Sequence, residues 1–257
     1  KRALSLNPNY AEAYNNMGNI FKEEDKFEEA RDSYKKALAL NPNYAEAYNN
    51  MGIALQEQGK FKEAIETYNK ALSLNTNFDE IFNNIGIAFK KSGNIEEALS
   101  AFKKALSLKP ESLNTLLNIS NSLHNFEFKK QDKIMEKIII YLLDQSNIVS
   151  PKQIVVPVIS YIKLELDLLH DLNSLLKDYD TFLVKETILK LSKSSLLLKF
   201  MSLSSIPDSN IEHLLSTVRK RILLSIKKLE GSKEILPFQS ALALQCFTNE
   251  YIYLENY

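Results

Sequence analysis

The sequence predicts an all-α protein, with a stack of helical hairpins over residues 1–145 followed by an all-helical segment over 146–257. Three observations carry this expectation. A set of residue types returns every 34 positions through the first half. Apolar residues recur along the chain at the i, i+3, i+4, i+7 spacing of one helix face. No glycine stands between Gly93 and Gly231, so the middle of the chain lacks the tight turns of a sheet and any Gly-rich phosphate loop.

The repeat comes first in the chain. Asn7-Pro8-Asn9-Tyr10 returns as Asn41-Pro42-Asn43-Tyr44, then as Asn75-Thr76-Asn77-Phe78, and Lys109-Pro110 follows at the same step. With each unit counted from Ala11, Ala45 and Asp79, the fourth position is Tyr14, Tyr48 and Phe82. The eighth is Gly18, Gly52 and Gly86, and the eleventh is Phe21, Leu55 and Phe89. A second helix carries Ala30, Ala64 and Ala98 at position 20, Tyr34, Tyr68 and Phe102 at 24, and Ala37, Ala71 and Ala105 at 27. Small residues at 8 and 20 let the two helices approach, and the aromatic residues fill the space around them. Gly59 and Gly93 fall between the helices, where a left-handed residue closes the first one. Asp25 takes that place in the first unit and tolerates the geometry less well. The Asn-Pro pairs end the second helix and open the next unit.

This pattern resembles the tetratricopeptide repeat family over residues 1–112: three full repeats at 11–112, preceded by the tail of another in Ala3, Leu6 and Pro8. The departures are Thr76 in place of proline and Tyr or Phe in place of tryptophan at the fourth position. The resemblance implies a right-handed superhelical solenoid whose first helices line a concave groove. A fourth unit begins at Leu113, where Leu116, Ile119, Ser120 and Leu123 fit the first helix. Asp132, Glu136 and Ile139 then replace the small and aromatic residues of the second. Residues 113–145 are therefore expected to form a degenerate capping hairpin, as terminal repeats often do.

Residues 146–257 show no such period but stay helical in pattern. Ser150-Pro151 reads as a helix start, with Pro157 kinking or restarting it. Leu164, Leu168, Leu172, Leu175, Leu176 and Tyr179 form one apolar stripe, and Ile188, Leu191, Leu196, Leu197 and Phe200 another. Pro207-Asp208 precedes an amphipathic helix from about Ser209 to before Gly231, and Pro237 opens a last helix through Leu254. The stretches 196–223 and Ala241 to Tyr251, with its Gln245-Cys246-Phe247 run, resemble the helical segment ahead of the catalytic domain in bacterial fusions of such repeats to S-adenosylmethionine-dependent methyltransferases. That resemblance implies a substrate-recruiting part of an enzyme whose catalytic domain lies outside these residues, since the acidic-Gly-x-Gly-x-Gly cofactor loop is absent from the sequence.

Composition narrows the function class. The chain has 257 residues with 32 basic and 32 acidic side chains. Pro110 divides these 15 to 15 before it and 17 to 17 after it. Neither part carries the basic excess that nucleic-acid or anionic-membrane binding uses, so neither partner is expected. The lone Cys246 cannot form an internal disulfide, which fits a reducing, cytoplasmic setting. No apolar run is long enough to span a bilayer. The chain opens at Lys1 in mid-repeat, as a fragment of a longer protein would, and exposed repeat ends leave room for self-association.

The candidate binding residues are asparagines. Asn16, Asn50, Asn84 and Asn118 share position 6, Asn15, Asn49 and Asn83 share position 5, and Asn19 lies one turn further on. A carboxamide offers both donor and acceptor, so a row of them can read an extended peptide backbone. Some members of the family use Asn at position 6 in this way. The alternative, that these amides only bridge neighbouring helices, stays open. Glu12, Glu46 and Glu80 at position 2 stand where the family's chaperone-tail clamps carry cations. A neutral or mildly basic peptide therefore suits the groove better than an acidic tail. They equally suit the positive end of the helix dipole.

Catalytic chemistry is not expected, nor is any cofactor. His124, His170 and His213 have no metal-ligand spacing, Cys246 has no basic neighbour, and adjacent pairs such as Glu28-Glu29 face apart on a helix. Arg219-Lys220-Arg221 reads as solvated surface. The expectation is a protein-binding scaffold.

Overall fold

The computed structural model describes residues 10–74, 78–145, 151–166, 188–202 and 240–241. Two units are distinguished, Lys1–Ser122 and Leu123–Tyr257. This division falls earlier than the boundary drawn from the sequence at 145. Among the described residues there are helices and turns and no strands.

In the first unit, helices alternate at the predicted 34-residue step: α1 (Ala11–Glu23), α2 (Phe27–Leu40), α3 (Ala45–Glu57), α4 (Phe61–Leu74), α5 (Asp79–Lys91), α6 (Ile95–Leu108) and α7 (Leu113–Leu123). Each helix packs against the next along the chain from α1 to α6. The turns between the two helices of a repeat hold Asp25, Gly59 and Gly93 at φ 58°, 75° and 85°, as their sequence positions require. Asn125, just past α7, repeats the device at φ 59° two residues early, because α7 has 11 residues where the other first helices have 13.

The core of each repeat is one close contact. A Cβ placed on Gly18, Gly52 or Gly86 would lie 2.5, 2.4 or 2.4 Å from the ring Cε1 of Tyr34, Tyr68 or Phe102. Those three rings are fully buried, as are Ala30, Ala64, Ala98, Ala37, Ala71 and Ala105. The glycine therefore serves close approach, not backbone freedom. The buried hydroxyls are satisfied locally: Tyr34 donates to Asn19 Oδ1 at 2.8 Å and Tyr68 to Gln56 Oε1 at 3.4 Å. Exposed ion pairs run between repeats, Lys60 to Glu28 at 3.1 Å and Lys91 to Glu57 at 3.2 Å, and contribute little each.

The second unit contains α8 (Lys133–Asp144), a 3-10 turn (Pro151–Ile154), α9 (Val155–Leu166) and α10 (Ser195–Met201), with residues 188–193 also helical. Asp132 caps α8 through the amides of Ile134 and Met135. Pro157 sits in the first turn of α9, where its missing N–H leaves no helical acceptor unpaired. Ile188, Leu191, Leu196, Leu197 and Phe200 are all buried, as their stripe predicts. That stripe is not one helix, however. Ser194 leaves helical geometry at ψ 96° and caps α10 through the amide of Leu197 at 3.2 Å. Its hydroxyl also reaches Glu165 at 2.5 Å, so a side-chain bond to α9 stabilises the break. Of the other stripe only Leu164 is described. The helices expected between 209 and 230 and beyond Pro237 lie outside the described residues, apart from helical 240–241.

Candidate functional site

The candidate asparagines lie on the first helix of each repeat, and the structure joins most of them in one ladder. Asn50 Nδ2 donates to Asn15 Oδ1, Asn84 Nδ2 to Asn49 Oδ1 and Asn118 Nδ2 to Asn83 Oδ1, each at 3.1 Å. Position 6 of one repeat thus bonds position 5 of the repeat before it, and the amides bridge α1 to α3, α3 to α5 and α5 to α7. Asn15 uses its own N–H groups on Tyr44 Oη at 3.3 Å and Glu46 Oε1 at 3.2 Å. One polar seam results, in which each rung fixes the plane of two carboxamides.

Burial grades along this seam. Asn15 is fully buried, Asn49 and Asn50 are 9% exposed, and Asn83, Asn84 and Asn118 are half-buried. Asn16 is exposed and stands at the start of the row. Asn19 is half-buried, and its oxygen receives the Tyr34 hydroxyl, so part of its capacity serves the core. A carboxamide has two N–H donors and an oxygen with two lone pairs. The ladder uses one donor each of Asn50, Asn84 and Asn118 and one lone pair each of Asn15, Asn49 and Asn83. The remaining groups, with exposed Glu12, Glu46 and Glu80 beside them, could meet a main chain laid along the seam.

The other sequence candidates are not drawn together. His124 is exposed past the end of α7, and His170, His213, Cys246 and the Arg219 cluster lie outside the described residues. Among the described residues no group of His, Cys, Asp and Glu could hold a metal ion, and no helix is long and apolar enough to cross a membrane.

Sequence reasoning missed a polar knot in the second unit. Glu136, only 7% exposed, accepts from Lys133 Nζ at 2.8 Å and from the Tyr161 hydroxyl at 3.4 Å. The Tyr161 oxygen in turn accepts the Asp132 amide at 3.0 Å. Lys133 also lies 3.6 Å from Glu165, which receives Ser194. The neighbouring carboxylate raises the Lys133 pKa, chiefly through the hydrogen bond to Glu136. The only signal for this group in the sequence is the charged Glu136 at a position where a repeat would carry an aromatic.

The tetratricopeptide repeat family model matches residues 45–78 and 80–112, and related repeat models match 18–59 and 1–32. No curated protein sequence matches this chain. Among solved structures, the first TPR of Spaghetti (RPAP3), bound to the HSP90 peptide SRMEEVD, is 24% identical, covering 44% of this chain and 90% of that one with a TM-score of 0.43. The Arabidopsis OM64 TPR domain is 23% identical, covering 44% and 93% with a TM-score of 0.43. The second TPR domain of human RPAP3, in complex with the HSP70 peptide SGPTIEEVD, is 26% identical, covering 44% and 94% with a TM-score of 0.42. These findings give no support to the methyltransferase-fusion resemblance of the second half. Periodicity, buried small–aromatic contacts and family matches agree on one statement: residues 1–112 of this chain are tetratricopeptide repeats.

Proposed function

We propose that the first unit is a protein-interaction scaffold that holds an extended peptide along the seam of its first helices. The observation that carries this reading is the ladder of three Asn–Asn bonds at 3.1 Å. It holds successive carboxamides in fixed orientation, so a peptide backbone would meet groups already ordered and lose less affinity to their immobilisation. Each new hydrogen bond is worth on the order of 1 kcal/mol net, so several must act together. Exposed Glu12, Glu46 and Glu80 beside the seam favour a neutral or mildly basic segment over an acidic tail.

The test is a screen of random extended peptides against the whole chain, against Asn16→Ala, and against the triple variant Asn16→Ala/Asn50→Ala/Asn84→Ala. Asn16 is exposed and makes no ladder bond, so its replacement separates ligand contact from stability. Circular dichroism checks that the triple variant remains helical. Neutral or basic peptides enriched by the wild type, weakened by Asn16→Ala and lost in the folded triple variant are the expected outcome. Equal enrichment by all three proteins would mean that the amides serve the fold alone.

A further inference from the structure

A cavity of about 240 Å3 opens on the first unit between α4 and α6, above α5. Its floor is apolar: Ile65 from α4, with Phe82, Ile85 and Phe89 from α5. Its rim carries opposite charges, Glu97 and Lys104, both exposed on α6. These two stand seven residues apart, about 10.5 Å along a helix. Lys104 Nζ lies 5.7 Å from the centre of the Phe82 ring, so the cation stands at the mouth of the cavity.

This cavity is not part of the asparagine seam. Successive helical residues turn by about 100°, so Phe82, Ile85 and Phe89 form one stripe of α5, while Asn83 and Asn84 lie on the opposite side. Its charged rim follows the repeat, since Glu63 and Lys70 hold the register of Glu97 and Lys104 one unit earlier, but its wall on α4 does not. At the preceding junction the register of Ile65 and Asn69 holds Arg31 and Lys35, and Arg31 is ion-paired with Glu28. With Ile65 and Asn69 in those places the second junction loses both wall cations and gains one apolar side chain.

We propose that this cavity is a second docking site, independent of the peptide seam, for a helical segment of a partner protein. The segment inserts one aromatic side chain onto the Phe82–Phe89 floor. A basic residue on one side of that anchor faces Glu97, and an acidic residue on the other faces Lys104. A hollow with an apolar base excludes a flat partner and requires a projecting side chain. The dipolar rim selects a segment with one charge of each sign.

The chain contains no tryptophan, so a tryptophan probe reports without background. The probes are three short helical peptides with a central Trp, flanked seven residues apart by Lys and Glu, by Lys and Lys, or by Glu and Glu. They are titrated into the whole chain and Trp emission is followed. The expected result is a saturable blue shift with the Lys/Glu peptide, which binds about two- to fivefold tighter than either same-sign peptide, as an exposed charge pair allows. Lys104→Glu should move the preference to the Lys/Lys peptide. Ser100→Phe, which crowds the mouth, should weaken binding by about tenfold, the contribution of a lost buried anchor. The Asn16/Asn50/Asn84 triple variant should bind as the wild type does, so failure here and failure of the peptide seam are read separately. No saturable shift with any peptide, equal binding of all three, or an unchanged preference in Lys104→Glu would each overturn the proposal. That last variant alters only an exposed side chain and keeps the test decisive if Ser100→Phe does not fold.

Discussion

Replacing Gly52 with alanine puts a methyl group where Tyr68 already stands. The new Cβ would lie 2.4 Å from Cε1, 2.6 Å from Cδ1 and 2.9 Å from Cζ of that ring. Carbon atoms in good contact sit about 3.5–4.0 Å apart, so helix or ring must move by about an ångström. The ring cannot swing aside, because it is fully buried and its hydroxyl is held by Gln56. Overpacking of this kind costs about 1–3 kcal/mol. Alanine in a helix interior returns about 1 kcal/mol of propensity, which leaves a net loss of up to about 2 kcal/mol. Urea titration of the whole chain followed by circular dichroism measures it. The decisive comparison is a cycle with Tyr68→Leu. Once the ring is gone, Gly52→Ala should change sign and stabilise by up to about 1 kcal/mol. Gly86→Ala with Phe102→Leu gives the same cycle in the third repeat, where the Cβ would lie 2.4 Å from Cε1. If Gly52→Ala stabilises the wild type, or has equal effects with and without the ring, the close-approach account of these glycines is wrong.

The ladder gives a second prediction. Asn84→Ala should cost about 1 kcal/mol by leaving Asn49 Oδ1 without its donor, whereas Asn16→Ala should change the denaturation midpoint little. The tyrosines give a third. Burial is the leading cause that raises the pKa of Tyr34, Tyr44 and Tyr68. A raised folded-state value means that their stabilisation is complete below about pH 10, where unfolded tyrosines are still protonated, and is lost as pH climbs beyond it. Melting temperature should therefore fall above that pH, and phenolate absorbance from these side chains should appear together with unfolding; titration of all the tyrosines in the folded chain would contradict this. Finally, Ser194→Ala should destabilise the second unit by about 1 kcal/mol or more through the lost cap of α10, and a thermal melt indistinguishable from wild type would count against the Ser194–Glu165 tie.

The repeats were legible because each structural demand is written three times. One glycine in a helix is weak information, but Gly18, Gly52 and Gly86, each 16 residues ahead of an aromatic, identify a contact. The left-handed turns followed for the same reason, including Asp25. The candidate amides were visible as a row, with bridging between helices as one reading of them, but the partner of each amide was not. A bond from Asn50 to Asn15 depends on how α3 lies beside α1, and neither helix alone encodes that. Asn19 was similarly opaque, since its partner Tyr34 sits on the other helix of the hairpin. In the second unit no period helps. Glu136, Tyr161, Glu165 and Ser194 come from separate elements and meet only in the fold. Ser194 sits in a Leu-rich stretch whose apolar spacing runs through the break, so the spacing alone suggests one helix where two segments meet.

The arithmetic of the ladder has a consequence for how such a chain can change length. Each rung spans 35 residues, one more than the repeat. Excision of residues 45–78 as a block would bring Asn84 opposite Asn15, the same donor–acceptor pair as before, while every glycine kept its own aromatic partner. A cut one residue longer or shorter would turn the downstream helix by about 100° and present the wrong side chain to the seam. Whole units can therefore be copied or dropped without penalty at the joint, and single-residue slips within a unit are rejected there.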